Sequence, residues 1–141
     1  MVIKKRITDE ERRSLPVKKF VDFMNDNVAD RMRKAYEQGK LYREKQFMIT
    51  MPAGEIDPVK FAGSEVPVPV QGVIDAMFIE DGEIVILDYK TDSLKPGEEE
   101  KLVRLYSLQL DIYARAAERL LGRKVKEKLL YSFSLGKTIV V

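Results

Sequence analysis

An Asp-Gly pair between two apolar runs constrains this 141-residue chain more tightly than anything else in it. Asp81 and Gly82 separate strand-like segments at 70–79 and 83–90. A two-residue hairpin turn needs positive φ at both central positions, and Asp-Gly accepts that. The turn sets the register: Glu80 pairs with Glu83, Ile79 with Ile84, and so on down the ladder. Asp75 then lies directly opposite Asp88, with Cβ atoms roughly 4.5–5.5 Å apart on one face. Lys90 shares that face, because strand side chains alternate with period two. Both faces are otherwise apolar, with Ile74, Ala76 and Phe78 on one side and Met77 and Ile79 on the other. Such strands belong in the middle of a covered sheet. Charges seldom enter them without partners, and like charges so placed repel unless a cation lies between them. A strand-end aspartate or a surface ion pair explains each residue alone; neither explains all three. Two carboxylates and an ammonium converging at a strand end suit a divalent-metal hydrolase.

The rest of the chain reads as one α/β domain with a mixed sheet. Residues 1–14 are charged, and are expected to be irregular or a short helix. From Pro16 the apolar residues Val17, Phe20, Val21, Met24, Val28, Met32, Ala35 and Tyr36 recur at helical spacing, predicting one long helix to about Gln38, stopped by Gly39. Leu41 to Met51 reads as a strand and Pro52 to Pro69 as a loop or ragged crossing. A second helix is predicted from about Glu98 to Leu121, ended by Gly122. Its apolar stripe is Leu102, Leu105, Tyr106, Ile112, Tyr113, Ala116 and Leu120. Gln109 falls inside that stripe, either paired with buried backbone or aimed at a site; Tyr113 by itself reads as core. Val125 to Phe133 and Lys137 to Val141 are final strands. Glu98, Glu99 and Glu100 are favourable charge at a helix start. Glu44, between Arg43 and Lys45, reads by default as part of an exposed charge cluster.

Composition removes several chemistries. The chain has no cysteine and no histidine. Disulfides, thiolate zinc sites, iron–sulfur clusters and imidazole-dependent triads are therefore excluded. A metal here must take oxygen ligands, which points to Mg²⁺, Mn²⁺ or Ca²⁺ rather than Zn²⁺. The net charge is only +2, so no whole-molecule basic field is available. Basic residues do crowd the N-terminus at Lys4, Lys5, Arg6, Arg12, Arg13, Lys18 and Lys19, as a solvated helix face or a phosphate-contacting arm. No apolar run approaches a membrane span and no signal peptide is visible, so a cytoplasmic location is expected. No Walker-type loop is present, so ATP use would lie outside these residues.

Three motifs in order carry a resemblance. Gln71-Gly72-Val73-Ile74-Asp75, Asp88-Tyr89-Lys90 and Gln109-Leu110-Asp111-Ile112-Tyr113 resemble the motifs of the PD-(D/E)XK nucleases, in their RecB-like branch. Leu41 to Phe47, Leu87 to Asp92 and Leu130 to Phe133 look like AddA-type helicase–nucleases, and the likeness runs over about 16–141. It implies a restriction-endonuclease-like fold, a mixed central sheet flanked by helices, forming a single nuclease domain at 1–141 as the C-terminal part of a larger helicase–nuclease. It implies Mg²⁺-dependent DNA exonuclease activity in double-strand-break processing. DNA, the helicase portion and an AddB-like subunit would be the partners. Asp75, Asp88 and the Tyr89 carbonyl would hold metal. Lys90 would orient water and stabilise charge on phosphate, with little part in folding. Gln109 and Tyr113 would brace the site and contact DNA, and Glu44 would match the acidic residue of the first strand. A catalytically idle DNA-binding or docking module of the same fold is the alternative. Many RecB-like nucleases carry a metal-ligating histidine ahead of the first strand, which this sequence lacks.

Overall fold

The computed structural model describes Val2, Ile3 and residues 16–141. Its elements are β1 (Val2–Ile3), α1 (Val17–Met24), α2 (Asn27–Glu37), β2 (Leu41–Pro52), the single turn α3 (Ala53–Ile56), β3 (Pro67–Glu80), β4 (Glu83–Lys90), α4 (Glu99–Leu121), β5 (Val125–Ser132) and β6 (Lys137–Val140). The strands form one mixed sheet around β3. Antiparallel β2 takes one edge of β3. The other edge is shared by β4, over Ala76–Glu80, and by parallel β1, at Gln71 and Gly72. Strands β4 and β5 are parallel, joined by α4 as the crossover, and β6 closes antiparallel on β5. This is the expected mixed sheet flanked by helices.

The hairpin forms as its turn chemistry requires. Asp81 and Gly82 have φ of 53° and 80°, and Ile79 pairs with Ile84 and Glu80 with Glu83. Both faces of the sheet are covered. On one, Met77, Ile84 and Ile86 pack with Leu102, Leu110, Tyr113 and Ala116 of α4. On the other, Phe78, Val85 and Leu87 pack with Val28 and Met32 of α2. Burying the sheet from both sides explains why its central strands lack polar alternation.

Several expectations are corrected. The long first helix is two helices, because Asp26 caps the second: its Oδ1 accepts the Val28 N–H at 2.9 Å, and the Thr138 hydroxyl donates to the same oxygen. Val2 and Ile3 form a strand, not an irregular segment. Lys4, Lys5, Arg6, Arg12 and Arg13 lie outside the described residues. Lys18 is exposed on α1, and Lys19 donates to the Ser134 carbonyl at 3.1 Å. The Pro52–Pro69 crossing contains α3, and β3 already begins at Pro67. Gly54 is packed so closely that a Cβ there would lie 2.9 Å from the Phe61 carbonyl. In α4, Leu105 and Leu120 are exposed while Leu110 and Ala117 are buried, so the core stripe is rotated from the predicted one. Among the described residues no helix is long and apolar enough to cross a membrane.

Candidate active site

The site lies where β4 parts from β3. Their ladder ends at Ala76↔Leu87, one step before Asp75 and Asp88 would pair. Past that point β4 continues beside β5 as far as Lys90↔Ser132. The Tyr89 N–H thereby loses a main-chain acceptor on β3, and Asp75 Oδ2 accepts it instead at 2.9 Å. The Lys90 carbonyl points the other way, accepting the Phe133 N–H at 3.1 Å. Adjacent residues of a strand direct their peptide groups to opposite edges, so the Tyr89 carbonyl points into the fork with its N–H.

A step in the pleat places Asp75 there. On β3, Val70 and Ile74 pack against the α4 core before Asp75, and Met77 does so after it. On β2, Tyr42 does so before Glu44, and Phe47, Ile49 and Met51 after it. Each strand therefore changes parity once, at matching positions. The pairs Arg43↔Ala76 and Lys45↔Ile74 keep the register continuous, leaving Glu44 and Asp75 at facing positions. Glu44 has φ of 47°, a left-handed conformation that costs a non-glycine residue about 1–2 kcal/mol. Ile74 therefore lies on the face of Met77, against the simple alternation predicted. A cleft of about 500 Å³ opens at the step, with Phe23, Arg43, Glu44, Asp75, Tyr89 and Phe133 in its walls.

Asp75, Asp88 and Lys90 are buried, with 5%, 0% and 4% exposure. The two carboxyls are in contact, and burial followed by the Asp88 charge pushes Asp75 up to about 9. Burial and the neighbouring Asp88 charge thus favour the protonated form of Asp75. Asp88 Oδ2 meets Lys90 Nζ at 2.5 Å. The ammonium also donates to Gln109 Oε1 at 3.2 Å, and Gln109 Nε2 donates to the Tyr113 hydroxyl at 3.1 Å. Both ends of the Gln109 amide are therefore engaged within the protein, and buried Tyr113 anchors them edge-on to Phe47.

Two further residues escaped sequence reasoning. The Tyr106 ring lies under Lys90, 3.9 Å from Nζ to the ring centroid. Its hydroxyl donates to both carboxylate oxygens of Asp92, at 3.1 and 2.9 Å. Burial, then Asp92, pushes the Tyr106 phenol up to about 12. Tyr106 was legible only as part of an apolar stripe. The available signal was its position three residues before Gln109 on one helix face, with Asp92 two residues beyond Lys90.

The donors of the fork fit a hard divalent cation: two carboxyl groups and a carbonyl, all oxygen, the set on which Mg²⁺ is held with waters completing its shell. Two buried carboxyls in contact make a place where positive charge is favoured. Among the described residues no group of three carboxylates converges, so Glu44 stands in the cleft wall without closing a third ligand position.

These features define a class. The chain matches the model of the PD-(D/E)XK nuclease superfamily over residues 3–139 and belongs to it. Within that class it is similar to the A subunit of the ATP-dependent helicase/nuclease of Clostridium perfringens, 40% identical over 100% of this chain. It is 37% identical to the corresponding protein from Alkaliphilus oremlandii, over 99% of its length, and 36% to that from Ruminiclostridium cellulolyticum. The chain spans only 11% of the length of these curated relatives.

Proposed function

We propose that this domain hydrolyses DNA phosphodiester bonds with Mg²⁺, as the nuclease unit of an AddA-type helicase–nuclease that works with a helicase portion and an AddB-like subunit. The observation that carries this reading is the convergence of two buried carboxyls and a buried ammonium in a fork at the end of a cleft. Asp75, Asp88 and the Tyr89 carbonyl would hold the cation, which supplies water activation and charge neutralisation at phosphate when bound. Lys90, buried and directed by its neighbours, stabilises charge that develops on the phosphoryl oxygens. Gln109 holds the Lys90 ammonium, and Tyr113 holds Gln109. Glu44 and Arg43 line the approach, where Arg43 is suited to contact a phosphate.

The test is degradation of end-labelled DNA with Mg²⁺ and with EDTA, beside calorimetric titration of Mg²⁺. Cleavage should require the metal, and Asp75→Ala and Asp88→Ala should abolish both cleavage and the metal heat. Unchanged metal binding in both variants would remove the assignment. A second reading is an idle docking module, since among the described residues only two carboxyls converge with Lys90 in the fork. That reading predicts pull-down of the partner subunit with no cleavage at any metal concentration.

A further inference from the structure

Lys90 has more partners than a catalytic lysine needs for charge balance. Asp88 alone neutralises it, at 2.5 Å. Gln109 adds a neutral acceptor, and the Tyr106 ring adds a π face 3.9 Å from Nζ. Three contacts on one ammonium restrict a point charge carried on a flexible stem. The ring is itself held, since its hydroxyl bridges both oxygens of Asp92. Asp92 follows Lys90 by two residues, just beyond β4, so the anchor of the ring and the cation over it come from one short segment.

We propose that Tyr106, braced by Asp92, is a positioning residue for Lys90, keeping the ammonium at the fork when a phosphate competes for it. This rests on reading Lys90 as the lysine of a phosphodiester-cleaving site. Without the ring, the ammonium on its flexible four-carbon stem loses one of the three contacts that hold it. Chemistry would then suffer more than substrate binding, because Lys90 acts on charge that forms only in the transition state.

The test compares Tyr106→Leu, Tyr106→Phe and Asp92→Asn in the full chain, with two readouts. One is Mg²⁺-dependent cleavage of a labelled oligonucleotide. The other is the NMR signal of the Lys90 ε-methylene protons in metal-free protein, assigned through Lys90→Arg. A ring face this close should move that signal upfield in the wild type. Tyr106→Leu should return it toward the free-lysine position and lower kcat about tenfold with KM within twofold, the scale of a desolvated cation–π contact. Tyr106→Phe should keep the upfield signal and most of the turnover, and Asp92→Asn should fall between. The proposal is overturned if the wild-type signal is not upfield, if Tyr106→Leu turns over within twofold of wild type, or if kcat falls while the Lys90 signal stays in place. It is also overturned if Tyr106→Phe is as impaired as Tyr106→Leu. Wild-type protein that shows the upfield signal but cleaves nothing would refute the nuclease reading and leave the placement of Lys90 standing.

Discussion

Replacing Asp75 by Asn should stabilise this protein at neutral pH, at the expense of metal binding. Asp75 is 5% exposed, touches Asp88, and is pushed up to about 9 by burial and that neighbour. In the unfolded chain it ionises near its ordinary value of 3.8. Between those values the folded state holds a proton that the unfolded state has released, so wild-type stability falls as pH rises through the window. At pH 7 keeping that proton costs about 4 kcal/mol, and at pH 5 about 1.5 kcal/mol. Asn has no proton to keep. Its carbonyl oxygen still accepts the Tyr89 N–H, and its amide can donate to Asp88 as the protonated acid does. Asp75→Asn should therefore gain about 2–4 kcal/mol at pH 7, allowing for imperfect fit, and almost nothing at pH 4. For a domain of this size that is a rise in Tm of about 10 °C. Urea unfolding in EDTA at pH 4, 5, 7 and 8 measures the gap. Added Mg²⁺ should stabilise only the wild type and narrow it. A gap absent at pH 7, or one that fails to widen from pH 5 to pH 8, would refute the reasoning.

Lys90→Ala should lower nuclease turnover by about 10²-fold or more. It should also destabilise the fold by about 3 kcal/mol in urea unfolding, because Asp88 is fully buried beside it; an unchanged midpoint would restore the expectation that Lys90 has little part in folding. Glu44→Gly should raise stability by about 1 kcal/mol by relieving the positive φ, while reducing cleavage if its carboxylate acts in the cleft. A melting temperature that drops would mean the Glu44 side chain is structural. Glu80 is held down to about 2, chiefly by its hydrogen bond from Arg31, so its pairing stabilises above pH 4.5 and is lost as pH falls toward 2. Glu80→Gln should cost about 1 kcal/mol at pH 7, discounted for solvent at the pair's rim, and nothing at pH 2. Equal losses at both values would contradict the ion-pair origin.

The hairpin register was legible because it depends on local chemistry. Asp81 and Gly82 accept positive φ, and a period of two then carries Asp75 to Asp88 and Lys90 to the same fork. Gln109 and Tyr113 were legible for a similar reason, as a polar residue inside a helical stripe one turn from a tyrosine. The sequence alone thus determined which charged groups converge and that the strands bearing them are covered. Tertiary structure decided the rest. The joint loss of a pleat at Glu44 and Asp75 is a property of two strands packed under one helix, and alternation within either strand predicts the opposite face for Ile74. Asp26 caps the second helix, and its carboxylate is also held by Thr138, over a hundred residues away. The cleft walls come from α1, α2, β2, β3, β4 and Phe133 just beyond β5, and no window of sequence contains them together. Tyr106 looks like core until the end of β4 brings Lys90 over its ring and Asp92 to its hydroxyl. Periodicity assigns a residue to a face; only the long-range packing of that face determines what it touches.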